Sequence, residues 1–366
     1  MIRVLHIVSF MQRGGLETLI MNCYRHIDRE KMQFDFIVHR PFRADYDDEI
    51  EALGGKIYRL PRLNPFSPGY KKALLEFFTA HPEYRVVHCH LDCMSALPLA
   101  AAKQCGVPVR IAHAHNSNQD KDWKYPLKRL FMRKIPAVAT HFFACSQEAG
   151  EWMFPGQNIT TINNGIETDR FSFSPEVREA VHKELGLGDA LVLGHVGRFA
   201  PQKNHDFLLD IFHQVHEKNH NAVLLLAGTG PLEDAMKRKA EQLGLMDHVR
   251  FLGVRPDVNR ILQAVDVFVL PSLYEGLGIV VVEAQATGAR SVVSNTVPRA
   301  CALTDLVEFV RLEASPAHWA DVILQRCVSD RTDRSEEIRS AGYDIQSTAD
   351  WLFAFYTEQE DNHRVQ

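Results

Sequence analysis

The chain has 366 residues, 46% of them hydrophobic and 24% charged, which excludes a disordered, collagen-like or coiled-coil protein. The length suits two domains or three. Its apolar runs, such as residues 97–102, fall far short of the ~18 residues a membrane span requires. The N-terminus lacks the cleavage chemistry of a signal peptide, and seven scattered cysteines, an odd count, fit reduced thiols in a cytoplasmic protein. A net charge of −5 hides an asymmetry, because residues 1–165 carry +5 and residues 166–366 carry −10. The basic half is the candidate for an anionic partner, though the imbalance is too modest to point to nucleic acid.

Residues 2–10 form a short apolar run fit for a buried parallel strand. The run breaks at Gly14-Gly15 and resumes with helical spacing through Leu16, Leu19, Ile20 and Cys23. Strand, glycine turn and helix open a doubly wound α/β domain. Further strands are expected at 34–38, 56–59, 86–90, 109–112 and 141–144, with helical stretches between them. The pattern restarts near residue 190. Strands are expected at 191–196, 223–227, 249–251, 267–270 and 291–294, and helices at 206–217 and 232–243. Residues 163–188, with their Asn-Asn-Gly and Ser-Pro steps, read as the linker. Two such domains facing one another would leave a deep cleft at the carboxyl ends of both sheets, where ligands bind.

The sharpest chemical motif follows the strand at 267–270. Glu275-Gly276-Leu277-Gly278 leads into an apolar run that carries Glu283 and reads as a buried helix ending near Gly288. Amides at that helix start would face a phosphate or a sugar hydroxyl, and both carboxylates suit vicinal hydroxyls. A second motif, Gly197-Arg198 with Lys203, sets two cations after a strand end, where they could clamp a diphosphate. Gly228-Thr229-Gly230-Pro231 and Gly14-Gly15 are weaker signals, since turns use such residues without any ligand. In the basic half, His113 and His115 follow a strand and share one side of it.

Taken in order, these motifs resemble the family-4 retaining glycosyltransferases of the GT-B fold, as found in bacterial exopolysaccharide, capsule and lipopolysaccharide assembly. The resemblance also takes in Val87-His88-Cys89-His90, Ile162-Asn163-Asn164-Gly165-Ile166-Glu167, and a closing helix around 351–356 that returns to the first domain. It implies an α/β, GT-B architecture of two doubly wound Rossmann-like domains. Residues 1–165 would take the acceptor and 166–345 the nucleotide sugar, with 346–366 closing back. The implied reaction moves a sugar, with retention, from a nucleotide-diphosphate sugar (a UDP-sugar foremost) to a glycan or lipid-linked acceptor. Arg198 and Lys203 would neutralise the leaving diphosphate, Glu283 would hold the ribose, and Glu275 with Gly276, Leu277 and Gly278 would hold the sugar. Gly14, Gly15, Asn164, Gly197 and Gly228 would line the substrates. His115, with His113 as its rival, would contact sugar and acceptor. No metal or cofactor is implied. One departure is Asn295-Thr296-Val297-Pro298-Arg299-Ala300, where many members carry Gly-Gly-x-Pro-Glu, so an acidic donor contact has no residue here.

Other readings compete at several positions. His88, Cys89, His90 and Cys93 lack the spaced pairs of a structural zinc site, so no metal ligands are assigned there. The acidic run from Asp45 to Asp48 reads as a solvated helix start. Residues 121–134 hold six cations and one acid among Trp123, Leu127, Leu130 and Phe131. Read as a helix from Pro126, that segment sets Leu127, Leu130 and Phe131 on one stripe, suited either to an anionic membrane surface or to packing on the sheet with its cations solvated. A sugar-phosphate epimerase or synthase on the same fold, or a non-catalytic nucleotide-sugar-binding protein, are the alternatives for the whole chain.

Overall fold

The computed structural model describes residues 1–116, 125–327 and 331–364. They form two compact units, Met1–Ile166 together with the chain from Ile345, and Glu167–Asp344. The first unit is built on a seven-stranded sheet of β1 (Ile2–Ile7), β2 (Met32–Val38), β3 (Ile57–Arg59), β4 (Val86–Cys89), β5 (Val109–Ala114), β6 (His141–Ala144) and β7 (Ile159–Thr161). Its strand order is β3-β2-β1-β4-β5-β6-β7, and every pairing is parallel. The second unit is built on six strands, β8 (Leu191–Val196), β9 (Ala222–Ala227), β10 (Val249–Gly253), β11 (Val267–Leu270), β12 (Arg290–Ser294) and β13 (Val307–Val310). They run β10-β9-β8-β11-β12-β13, again all parallel.

Central strands such as β9 (Ala-Val-Leu-Leu-Leu-Ala) and β11 (Val-Phe-Val-Leu) are buried along their whole length, as helices on both faces of a parallel sheet require. In the second unit, helix His205–Lys218 packs with Glu233–Gln242 and Pro316–Arg326 over one face, around Leu208, Phe212 and Trp319. Helices Val258–Ala264 and Ile279–Ala286 pack with Thr168–Phe171, Pro175–Leu185 and Ser335–Ile338 in a separate layer. In the first unit, the long helix Ile345–Arg364 lies against helix Gly15–His26 and against β1 and β4, burying Ala349, Leu352 and Tyr356. Among the described residues no helix is long and apolar enough to cross a membrane.

Strand order reverses once in each sheet, between β1 and β4 and between β8 and β11. At such a point successive helices leave to opposite faces, and the carboxyl ends of the two strands are left uncovered.

Three expectations change. Residues 163–188 are not a linker, because they contain helices Thr168–Phe171 and Pro175–Leu185, which pack on Val258–Ala264. Ser174 caps the second of these through its hydroxyl, and Pro175 begins it, so the Ser-Pro step starts a helix here. Strands β7 and β13 were not expected. Both are short edge strands with half-exposed, partly polar side chains, which weakens their apolar signal.

Gly228 shows how closely the second unit packs where β8 and β9 end. Its φ is +135°, and a Cβ there would sit 2.1 Å from the carbonyl oxygen of Gly197. Gly186 also has a positive φ, +63°, but nothing lies within 4 Å of its Cβ position. Gly228→Ala should therefore lower the thermal midpoint clearly more than Gly186→Ala, whose cost is the backbone term of ~1–2 kcal/mol alone. Equal shifts in the two variants would show that the contact with Gly197 carries no weight.

Candidate active site

The polar residues of the second unit gather where β8 and β11 end. Gly197-Arg198 follows β8, and a short 3₁₀ turn, Pro201–Lys203, ends on Asn204 in the left-handed conformation. The side chain of Asn204 donates through Nδ2 to the carbonyl of Pro271 (3.1 Å), and the Leu273 backbone amide donates to the carbonyl of Gln202 (2.8 Å). These bonds tie the loop after β8 to the loop after β11. Across them Lys203 Nζ meets Glu275 Oε1 at 2.6 Å, with only 18% and 7% of the two side chains exposed. Ser272 Oγ donates to the same carboxylate oxygen at 2.6 Å. The hydroxyls of Ser294 and Thr296 in turn donate to the Ser272 carbonyl at 2.6 and 2.7 Å. The loop that departs from the family pattern thus props Ser272, which props Glu275.

Arg198 is exposed and makes no ion pair or side-chain hydrogen bond among the described residues. Lys203 was expected to act on a diphosphate and Glu275 on a sugar. The structure joins them to each other first, and of the two expected cations Arg198 is the one left without an ion pair among the described residues. Gly278 has φ +82° and forms the start of helix Ile279–Ala286, which no side chain caps. Four residues into that helix, Glu283 is half-buried beside Val280, Val281 and Val282, and its carboxylate has no partner among the described residues. Desolvation pushes its carboxyl up to about 8 from an ordinary 4.5. The group therefore holds its proton near neutral pH, and its ionised form would need hydrogen-bond donors.

In the first unit, Gly14 precedes helix Gly15–His26 in an extended conformation, without a side-chain cap, and Gly15 is exposed. His113 and His115 stand at the end of β5. His113 is 3% exposed and faces His88, Nδ1 to Nε2 at 3.0 Å, so it is a buried residue. His115 is half-buried, and its amide donates to Asp92 Oδ1 at 3.4 Å while Asn116 donates to the other oxygen at 3.2 Å. Of the two rivals, His115 is the one that reaches the surface. Asn164, in the loop after β7, is buried with its Oδ1 lacking a partner.

Sequence reading missed Ser272, Gln202, Asn204 and Asp92. The available signals were the Ser before Glu275, the Gln-Lys-Asn after Pro201, and an Asp following His90. Two expectations fail. Asp47 is not solvated but 1% exposed, with Oδ2 paired to Arg59 and accepting from the Ala44 amide. The apolar stripe at 121–134 splits. Residues 121–124 lie outside the described residues, and in helix Tyr125–Met132 Phe131 is buried while Leu130 is 49% exposed. Phe131 is taken up in a pocket it lines with Tyr70, Leu74 and Leu97, which leaves Leu130 facing outward.

Glu283 gives a stability test with a defined sign. Its raised carboxyl binds a proton in the folded state that the unfolded chain has released, so folding is penalised as pH rises from about 5 to about 8. Glu283→Gln removes this penalty. Its gain in melting temperature over the native protein should widen between about pH 5 and pH 9 in thermal shift measurements. A gain of constant size across that range would contradict the desolvated carboxyl.

Residues 13–170 match the family model Glycosyltransferase Family 4, and residues 177–338 match Glycosyl transferases group 1. EpsF of Bacillus subtilis, which is named as a glycosyltransferase, is 35% identical over 98% of each chain. An Escherichia coli relative is 30% identical over 80% of this chain and 79% of its own. Its name is UDP-Gal:alpha-D-GlcNAc-diphosphoundecaprenol alpha-1,3-galactosyltransferase. The crystal structure of Anabaena Alr3699/HepE in complex with UDP-glucose superposes with a TM-score of 0.77 at 17% identity, covering 100% of each chain. The sequence and the two parallel-sheet units agree: this chain belongs to the family-4 glycosyltransferases of the GT-B fold.

Proposed function

We propose that the enzyme moves a sugar from a UDP-sugar to a lipid-linked or glycan acceptor in cell-surface polysaccharide synthesis, with retention and without a catalytic metal. The observation that carries this reading is the Lys203–Glu275 pair, fixed at the β8/β11 reversal beside the exposed Arg198. Arg198 and Lys203 neutralise the diphosphate as the bond from the anomeric carbon to its oxygen breaks. Glu283, ionised on binding, accepts from the ribose hydroxyls, and Glu275 accepts from the sugar. The acceptor hydroxyl attacks the anomeric carbon from the face the diphosphate leaves, and its proton passes to a diphosphate oxygen. His115, at the open end of β5, contacts the acceptor. The donor class and the lipid-linked acceptor are supported by the name of the E. coli relative. The two cations supply the charge that a metal provides elsewhere.

The test is a donor panel with lipid-linked acceptor in EDTA buffer, scored by free nucleoside diphosphate. Release from a UDP-sugar is expected; loss of activity in EDTA that magnesium restores would contradict the metal-free reading. Arg198→Ala should lower turnover by about 10²–10³ with an unchanged melting temperature. Lys203→Ala should lower both, because it removes the cation paired with the buried Glu275 carboxylate. Full activity in both variants would remove the diphosphate assignment.

A lipid-linked acceptor is presented at a membrane, and the exposed Leu130 beside Arg129, Arg133 and Lys134 offers an apolar and basic contact for it. Co-sedimentation should show binding to anionic liposomes that weakens with salt and with Leu130→Ser. Equal binding to neutral liposomes, or none, would contradict the contact.

A further inference from the structure

Five histidines stand together at the strand-order reversal of the first sheet. His6 comes from β1, His88 and the adjoining His90 from β4, and His113 and the adjoining His115 from β5. His6 Nδ1 faces His90 Nε2 at 3.0 Å, and His90 Nδ1 faces His115 Nε2 at 3.0 Å. Beside this chain, His88 Nε2 faces His113 Nδ1 at 3.0 Å, and His88 Nδ1 meets the hydroxyl of Tyr356 at 2.6 Å.

Hydrogen bonding alone cannot satisfy this arrangement. Each neutral imidazole has one N–H and one lone pair. Along His6–His90–His115, either assignment of protons strands one N–H and one lone pair at the two ends. Those ends, His6 Nε2 and His115 Nδ1, are buried without a partner, and so is His113 Nε2. Protonation offers no escape. Among the described residues no carboxylate bonds any of the five rings, so no counter-charge supports an imidazolium there. A proton relay along the chain would end at His6, where nothing receives the proton.

Neutral imidazoles are, however, ligands for borderline-soft divalent ions. His90, His113 and His115 each offer a ring nitrogen, and these atoms lie within 4.8 Å of one another. The 3.0 Å between His90 and His115 is close to the ~3.3 Å that separates two tetrahedral ligands on zinc at 2.0–2.1 Å. Three imidazoles with a fourth position open to solvent form a known zinc arrangement. His115 is the half-buried member, so the ion has a way in, and its amide donates to Asp92, which fixes the end of β5. Tyr356 and His88 form the outer layer that fixes the His113 ring.

We propose that His90, His113 and His115 bind one zinc-class ion. Because the ion takes the ring of His115, it also inhibits transfer, a consequence that rests on the acceptor role of His115 proposed above. The whole chain, stripped with EDTA and dialysed, is titrated with cobalt(II) and then with zinc. One cobalt per chain is expected, with the visible bands of a tetrahedral nitrogen site, displaced by zinc. His113→Asn should weaken the affinity on the order of 10–100-fold. A second group, His216 and His248 with ring centroids 4.1 Å apart in the other unit, serves as the control. The double variant His216→Asn, His248→Asn should bind cobalt as the native chain does, and circular dichroism verifies that each variant is folded. No tetrahedral bands, or bands lost in the double variant and kept in His113→Asn, would overturn the site. Binding with turnover undiminished would overturn the acceptor role of His115 and leave the ion site standing.

Discussion

The reversal of strand order between β8 and β11 is the constraint on which the candidate site depends. It sends the helix after β8 and the helix after β11 into different packing layers, so neither covers the strand ends. The two loops left there must satisfy their own polar groups. They do so on one another, through Asn204 to Pro271, Leu273 to Gln202 and Lys203 to Glu275. Without the reversal these loops would sit under helices, and a lysine and a glutamate 72 positions apart would not meet.

Preorganisation and cost are divided unevenly within this cluster. Glu275 is held by a lysine and a serine, so its position is settled before any ligand arrives. Glu283 has no such partner and sits in a helix whose valines are buried in the second unit. The apolar residues around it stabilise the fold, while the carboxylate itself costs stability at neutral pH. Under the proposed function, that cost in stability is offset when hydroxyl donors meet the ionised group. The first unit holds a comparable debt in its histidine chain, where three ring nitrogens are buried without partners.

Much of the fold was legible because parallel strands covered on both faces leave continuous apolar runs, as in β9 and β11. The glycine turns were legible too, since Gly228 and Gly278 occupy conformations that side chains rarely adopt. Edge strands β7 and β13 were hidden because one side of each faces away from the core, and polar residues such as Thr160 and Glu308 interrupt the run. At the site, residue types announced which groups bear charge but not which pair with which. The Lys203–Glu275 contact, the burial of Asp47 by Arg59 and the five-histidine cluster all join residues distant in sequence. Phe131 and Leu130 show the same limit at short range. Their spacing suggested one stripe, and a pocket in the first unit took only one of them.

The central claim is that a donor diphosphate binds the second unit at the carboxyl ends of β8 and β11. Hydrogen–deuterium exchange with a panel of nucleoside diphosphates, UDP among them, tests it most directly. The expected result is slowed exchange in peptides spanning 197–204 and 275–286 with at least one member of the panel. Protection confined to the first unit, or none with any of them, would contradict it.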